Sequence, residues 1–373
     1  MASEHKDEQQ QEQPADQQPA RQPEGQPEGQ PVNMVEEARE IQEEDTRSEV
    51  EREGIKLIAP AKVNLYLEVG GRRADGYHEV ETVLHALTLH DVLYMMTKPA
   101  GEEAEEGEDA ADAEPAESAE PVTGLNIDLT CVPGREIDPL EVDPEDNMAV
   151  RAVRALAARI GRAEDETVVI RLEKNIPAQG GMGGGSSDAA AALLGCANIW
   201  GLAPDDPRIE EVARGLGADV PFFLHGGCAR MGGTGGDFEA ALKPMGDYIV
   251  LVRPGAGMPT ADSYRAFDEA PTSIDAADHE SVMQAERAAE VPLRNNLAPA
   301  SESLLPELAE VREWMAERAG AEAVLMAGSG STFFARCEKF QDASRMASDA
   351  RAKGWWARAT TFGPVRAAVV PQD

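Results

Sequence analysis

The run Pro177-Ala178-Gln179-Gly180-Gly181-Met182-Gly183-Gly184-Gly185-Ser186-Ser187-Asp188 collects residue types suited to holding a ligand, and five of the six positions 180–185 are glycine. Without side chains, backbone N–H groups can approach a bound molecule, and the chain can turn through conformations closed to other residues. Ser186 is placed to cap a helix at its N-terminus. The stretch 189–194 that follows is apolar on every side, so that helix is expected to be buried. A buried helix that opens on a glycine loop offers unpaired amides and the positive end of its dipole, which is a place for phosphate. A flexible linker would account for the glycines but not for the serine cap or the buried alanine helix. No Gly-Lys-Ser/Thr follows, and Ser186 stands where a dinucleotide fingerprint needs its third glycine, so neither common nucleotide motif applies.

Two further places fit phosphate chemistry. Pro60-Ala61-Lys62-Val63-Asn64 puts a lysine and an asparagine on one face of an early strand. Alone, such a lysine is usually a solvated edge residue. Gly217-Ala218-Asp219-Val220-Pro221-Phe222-Phe223-Leu224 sets one carboxylate between a helix stop and a hydrophobic run. That acid is either a helix cap, the commoner use, or a functional group. Other constellations give little. His78-Glu79 is followed by Thr82 where a zinc-binding H-E-x-x-H needs its second histidine, and no G-x-S-x-G nucleophile elbow is present. His85, His90 and His225 read as structural or exposed.

The elements that must position these residues come from hydrophobic periodicity. Residues 56–59 and 62–69 read as strand, the latter alternating at period two, and Gly70-Gly71 with Asp75-Gly76 marks a turn. Residues 78–93 return as strand. Residues 99–121 read as the tip of a hairpin swollen by an acidic insertion. Strands are expected over 125–132 and 167–172, with a helix over 146–160 between them. A helix over 206–214 stops at Gly215 and Gly217. Beyond Gly226 the pattern gives a buried strand at 248–252 and helices over 260–269, 279–290 and 302–319. Strands over 323–326, 332–336 and 356–362 follow, with a helix over 341–353. Strands come first and helices interleave later without a regular βαβ repeat, which predicts an α+β fold with two lobes.

The chain has 373 residues and a formal net charge of −35. Residues 1–54 carry −11 of it and residues 101–120 carry −10, leaving a mildly acidic remainder. A general basic surface for nucleic acid, or for anionic lipid, is excluded by that balance. Residues 1–54 are rich in Gln, Glu and Pro, too polar to bury a core, and are expected to be a disordered extension that has room for a short helix within 35–52, with order starting near Ile55. The four cysteines show no CxxC or zinc spacing and read as free thiols in a reducing compartment. With no apolar leader and no stretch long enough to span a bilayer, a cytoplasmic protein is expected.

Taken in order, the Pro-Ala-Lys-x-Asn segment, the glycine run and Ala327-Gly328-Ser329-Gly330-Ser331-Thr332 resemble the three motifs of the GHMP kinase superfamily. Within it, Gly71-Arg72-Arg73-Ala74-Asp75-Gly76-Tyr77-His78-Glu79 and Leu216-Gly217-Ala218-Asp219 are similar to members that phosphorylate a cytidine-diphosphate-linked methylerythritol on its C2 hydroxyl. The resemblance covers about residues 55–365 without the acidic insertion. It implies a ribosomal-S5-like N-terminal domain, 55–240, and a ferredoxin-like C-terminal domain, 241–373, with the active site between them. It implies ATP as phosphoryl donor with Mg²⁺, no residue being assigned as a metal ligand, and a monomer or homodimer without nucleic-acid or membrane partners.

By the same resemblance, Asp219 is the general base and Lys62 the cation beside it, which stabilises a developing alkoxide. Residues 177–187 cradle the triphosphate and align its γ-phosphoryl group. Tyr77, His78 and Tyr264 hold the cytosine, and Asn64 and Lys174 line substrate and nucleotide. The 328–332 loop supports the glycine loop. Asp75-Gly76-Tyr77-His78 disfavours relatives that act on homoserine or mevalonate-type alcohols, and the presence of both Lys62 and Asp219 disfavours a silent nucleotide-binding module. Three departures stand out. Met182 replaces the usual leucine, Ala327 stands where a hydroxyl residue is common, and Gly233-Thr234-Gly235-Gly236 lacks the glutamate often found after that Gly-x-Gly, with Asp237 one position later.

Overall fold

A computed structural model describes residues 47–100, 124–163 and 165–371. The expectations for 1–46 and for the 101–120 insertion lie outside the described residues. Chain order begins with α1 (Glu49–Glu53), β1 (Ile55–Arg72), β2 (His78–Pro99), β3 (Leu125–Pro133), α2 (Met148–Ile160) and β4 (Glu166–Lys174). Then come α3 (Gly184–Ile199), α4 (Pro207–Leu216), α5 (Val220–His225), β5 (Cys228–Gly232) and β6 (Asp237–Leu242). The remainder is β7 (Tyr248–Arg253), α6 (Thr260–Glu269), α7 (Ala276–Gln284), β8 (Arg294–Asn295), α8 (Ala298–Leu304), α9 (Glu307–Ala319), β9 (Val324–Met326), β10 (Phe333–Cys337), α10 (Phe340–Ala352), β11 (Trp356–Thr361) and β12 (Ala368–Val370).

The first sheet runs β12-β1-β2-β4-β3, with β5 and β6 extending from β2 and β8 beside β1. Its long central pair, β1 and β2, is antiparallel, and the register skips between Pro60↔His90 and Lys62↔Ala86. Such a bulge re-aims side chains at a site. The second sheet, β11-β7-β10-β9, is built wholly from residues beyond 247 and is antiparallel. β8 and β12 return from that half to pair with β1, so two strands from beyond residue 241 belong to the first sheet.

The alanine helix α3 is buried as its composition requires: Ala189, Ala190, Ala191, Ala192 and Leu193 are all fully covered, packed with Val153, Leu156, Ile170 and Phe222 in the main core. Small side chains let this helix lie close to the sheet and fix its N-terminus. Among the described residues no helix is long and apolar enough to cross a membrane.

Several expectations need correction. β2 and β3 do not form a hairpin. β4 lies between them, antiparallel to β2 and parallel to β3. A parallel pair needs a crossover, and α2 supplies it. Order does not begin at Ile55: α1 precedes it, with Val50 buried, Glu49 paired with Lys98 and Glu51 with Arg171. The helix overlaps the end of the 35–52 stretch in which a short helix is allowed. The helix expected over 302–319 breaks between α8 and α9 at Leu305-Pro306, and that expected over 279–290 ends at Gln284. Proline cannot continue the donor ladder. The short elements α5, β5, β6, β8 and β12 carry too few residues for their periodicity to be recognised.

One buried titratable group makes a stability prediction. His85, on β2, is fully covered and packs tilted against Phe362, with ring centres 4.6 Å apart. Met245 N donates to its Nε2 at 3.1 Å, so Nδ1 carries the proton and donates to Ala86 O at 2.9 Å. Burial pushes this imidazole down to about 4. The folded state therefore binds fewer protons than the unfolded chain, and stability present above pH 6.5 is lost as pH falls toward 4. His85→Gln, which keeps a donor and an acceptor, is expected to remove about 3 kcal/mol of that acid-side loss. Urea unfolding at pH 7 and pH 4.5 measures it, and equal pH dependence in both proteins would refute the assignment.

Candidate active site

The glycine loop is held by its carbonyls. Ala178 O accepts from Arg253 Nη1 at 3.0 Å, Gln179 O from Met258 N at 3.3 Å, Gly180 O from Thr332 N at 3.2 Å and Met182 O from Lys62 N at 2.9 Å. None of the amides of residues 178–186 donates to a backbone acceptor outside the helix ladder among the described residues. The loop thus spends its acceptors on the protein and keeps its donors for a ligand, which is the polarity an anion requires. Its path depends on close approach. Gly181 has φ +75°, and a Cβ there would overlap Ala327 O and stand 2.9 Å from Gly330 O. The 327–332 segment is therefore the wall behind the loop. Gly183, at φ +71°, occupies the N-cap position of α3.

Beside the loop stands a cation–amide–carboxylate group. Lys62, 4% exposed, donates from Nζ to Asn64 Oδ1 at 2.9 Å and lies 3.3 Å from Asp219 Oδ2. The Asn64 amide is oriented in turn, donating from Nδ2 to Thr82 Oγ1 at 2.9 Å, and Thr82 Oγ1 donates to Tyr66 O at 2.6 Å. Asp219 precedes α5 but makes no side-chain cap bond. Its carboxylate faces the lysine and remains one-third exposed, open to a substrate.

A second buried ion group sits under the loop. Lys174 Nζ donates to Asp188 Oδ2 at 2.6 Å and to Asp91 Oδ2. Asp91, fully covered on β2, also accepts from the backbone N–H groups of Asn175 and Ile176, just before the loop. Burial disfavours the Lys174 ammonium, but the two carboxylates outweigh it and hold the ammonium more firmly charged than a free lysine. Burial pushes the Asp188 carboxyl above the ordinary carboxylate range against the pull of that ammonium. One lysine thus joins β4 and β2 to the N-terminal part of α3.

These groups line one cleft of about 500 Å³, with Tyr264, Thr260, Thr234 and Ser329 along its rim. Leu140 and Val142 add apolar surface. A depression of about 690 Å³ beside Tyr248, Arg336 and Glu338 contains none of these groups. At the far end of the cleft, Tyr264 on α6 lies 5.3 Å from the His78 ring. Burial pushes the Tyr264 phenol up to about 12, with the Asp219 charge adding to the effect. His78 is buried and Tyr77 is 67% exposed.

The model for GHMP kinases N terminal domain matches residues 147–227, and that for GHMP kinases C terminal matches residues 273–354. A 4-diphosphocytidyl-2-C-methyl-D-erythritol kinase of Pelotomaculum thermopropionicum is 36% identical over 301 residues, spanning 79% of this chain and 93% of its own. The enzyme of that name from Streptomyces coelicolor is 36% identical over 310 residues, spanning 80% and 93%. A crystal structure of 4-(cytidine 5'-diphospho)-2C-methyl-D-erythritol kinase superposes with TM-score 0.61 at 33% identity, over 83% of this chain and 99% of that one. The chain belongs to the GHMP kinases, in the family of the 4-diphosphocytidyl-2-C-methyl-D-erythritol kinases. Homoserine kinase from Cytophaga hutchinsonii, at 17% identity and TM-score 0.59, shares the fold. GHMP kinases use ATP.

For this GHMP kinase, the structure brings Lys62, Asn64, Asp219, Lys174, Tyr264 and residues 177–186 to one cleft. Three expectations change. Ser186 is not the helix cap. The left-handed backbone at Gly183 starts α3 at Gly184, which puts Ser186 inside the first turn. Asp219 is not a capping side chain, because Lys62 takes its carboxylate. Ser187, Tyr77 and His78 do not line the cleft, His78 being buried behind Tyr264. The Ser187 hydroxyl is buried and unpartnered, and Tyr77 projects from the turn between β1 and β2. Sequence reasoning missed Asp91, Asp188 and Thr82 as positioning groups. Asp188 stood in the quoted motif, but nothing in the sequence ties Asp91 to Lys174.

The contact of Gly181 with the 327–330 carbonyls predicts that Gly181→Ala costs about 1–3 kcal/mol through strain and overlap. Thermal melting should fall by several degrees and KM for ATP should rise. A variant unchanged in both would contradict the described wall.

Proposed function

We propose that this kinase transfers the γ-phosphoryl group of ATP to the C2 hydroxyl of 4-diphosphocytidyl-2-C-methyl-D-erythritol, in the cytoplasm. The observation that carries the reading is the 3.3 Å approach of Lys62 Nζ to Asp219 Oδ2 beside a loop that keeps its amides for an anion. Asp219 accepts the hydroxyl proton. The oxygen attacks the γ-phosphorus, the bond to the β–γ bridging oxygen breaks, and ADP leaves. Lys62 offsets the charge gathering on the attacking oxygen, and the first-turn amides of α3 offset that on the phosphates.

Mg²⁺ accompanies ATP in this proposal. Among the described residues no group of three or more metal-ligating side chains occurs. Asp219 and the Ser186 hydroxyl line the cleft as separate oxygen donors. That sparse set fits an ion held mainly by phosphate oxygens and water. When bound, it would supply charge neutralisation. His78 and Tyr264 take the cytosine end, with Tyr77 placed to close over the base from the adjoining turn.

Asp219→Asn is expected to lower kcat by about a thousandfold while leaving ATP affinity near that of the parent protein. A coupled ADP-release assay measures the first and nucleotide titration the second. Unchanged turnover would remove Asp219 from the role of base. His78→Ala should raise KM for the cytidyl substrate by tenfold or more and KM for ATP by less than twofold. Equal rises in the two constants would count against a cytosine site at His78.

A further inference from the structure

Tyr264, which lines the cleft, packs against a buried histidine outside that lining whose proton position is set by a neighbour on another element. His78 opens β2 on the same strand face as Val80 and Thr82, both of which line the cleft. Its Nε2 lies 2.7 Å from Asp268 Oδ1 on α6, and Asp268 Oδ2 is 3.7 Å from Arg72 Nη1. Tyr264 and Phe267 of the same helix pack against the imidazole, at 5.3 Å and 6.2 Å between ring centres. The ring is thus clamped in plane by two aromatics and in rotation by one carboxylate. No partner for Nδ1 is found among the described residues.

An ionised carboxylate can only accept, so the proton of the bridge sits on Nε2. In a neutral imidazole the other nitrogen then carries a lone pair. We propose that Asp268 is a positioning residue that fixes His78 as the Nε2–H tautomer, so that Nδ1 accepts from the 4-amino group of cytosine and meets the 4-oxo group of uracil with an unfavourable lone pair. The inference rests on the placement of cytosine at His78 in the proposed function. It adds the means by which this kinase separates a cytidyl substrate from its uridyl counterpart. A site built to pair with one hydrogen-bonding group discriminates strongly against a ligand that leaves it unpaired.

The test compares kcat/KM for the cytidine-diphosphate-linked alcohol and for the uridine-diphosphate-linked analogue. In Asp268→Asn the amide can present either an acceptor or a donor to Nε2, which frees the tautomer. The cytidyl-over-uridyl ratio should fall by about tenfold, mainly through KM for the cytidyl substrate, with Asp268→Glu restoring much of it. If Asp268 merely braced α6 against β2, both substrates would weaken together and the ratio would hold, which would overturn the proposal. Nitrogen-15 spectra of the His78 ring give a second readout. A protonated Nε2 and bare Nδ1 in the parent protein, mixed in Asp268→Asn, support it, and a protonated Nδ1 in the parent overturns it. His78→Ala separates the two levels. If it abolishes the preference while Asp268→Asn leaves it intact, only the tautomer argument fails. If it leaves the preference intact, the cytosine site fails with it.

Discussion

The cleft depends on one constraint, that the glycine loop must give up its carbonyls to the protein so that its amides stay free. Four carbonyls between Ala178 and Met182 are taken by Arg253, Met258, Thr332 and Lys62, which lie on β7, the segment before α6, the segment before β10 and β1. Each acceptor satisfied in this way removes a competing dipole from the ligand side. The close stacking of Gly181 on Ala327 is the steric counterpart, since no larger residue could bring the two backbones together. Strands of both sheets therefore meet at the loop, and its shape is a property of the whole molecule.

The same loop ties together the two buried ion groups. Lys62 contributes its backbone N–H to Met182 and its ammonium to Asn64 and Asp219, so the strand that shapes the loop also aims the cation. Lys174 works from below, with Asp91 bonding the amides that lead into the loop and Asp188 bonding from its helix. Buried charges cost several kcal/mol each unless paired and fully hydrogen-bonded. Lys174 is paired with carboxylates from β2 and α3, although Asp188 Oδ1 is left without a hydrogen-bond partner, and Lys62 bonds Asn64 and meets an Asp219 that stays one-third exposed; these shared partners fix the elements relative to one another.

The two ends of the cleft use different physics. The glycine-loop end offers backbone amides and a helix dipole, which favour negative charge without regard to the rest of a ligand. At the Tyr264 end stand ring planes, with an imidazole oriented by Asp268 behind them. α6 joins the ends, since Thr260 at its start bonds Ser329 beside the glycine loop and Asp268 near its end bonds His78. A shift of this helix would be felt at both.

Local chemistry was legible in the residues themselves. Five glycines, a serine pair and an alanine helix have few structural uses together, and the period-two alternation of 62–69 put Lys62 and Asn64 on one face before any fold was known. Only the tertiary structure decided what those residues face. Asp219 could be read as a cap until Lys62, more than 150 residues earlier, was seen to hold its carboxylate. Asp91 and Asp268 carry no local signature, because their partners lie more than 80 residues away along the chain and are brought to them by strand pairing and helix packing. The β2–β4–β3 order was hidden for the same reason, since periodicity reports which face of a strand is buried and carries nothing about which strand lies beside it.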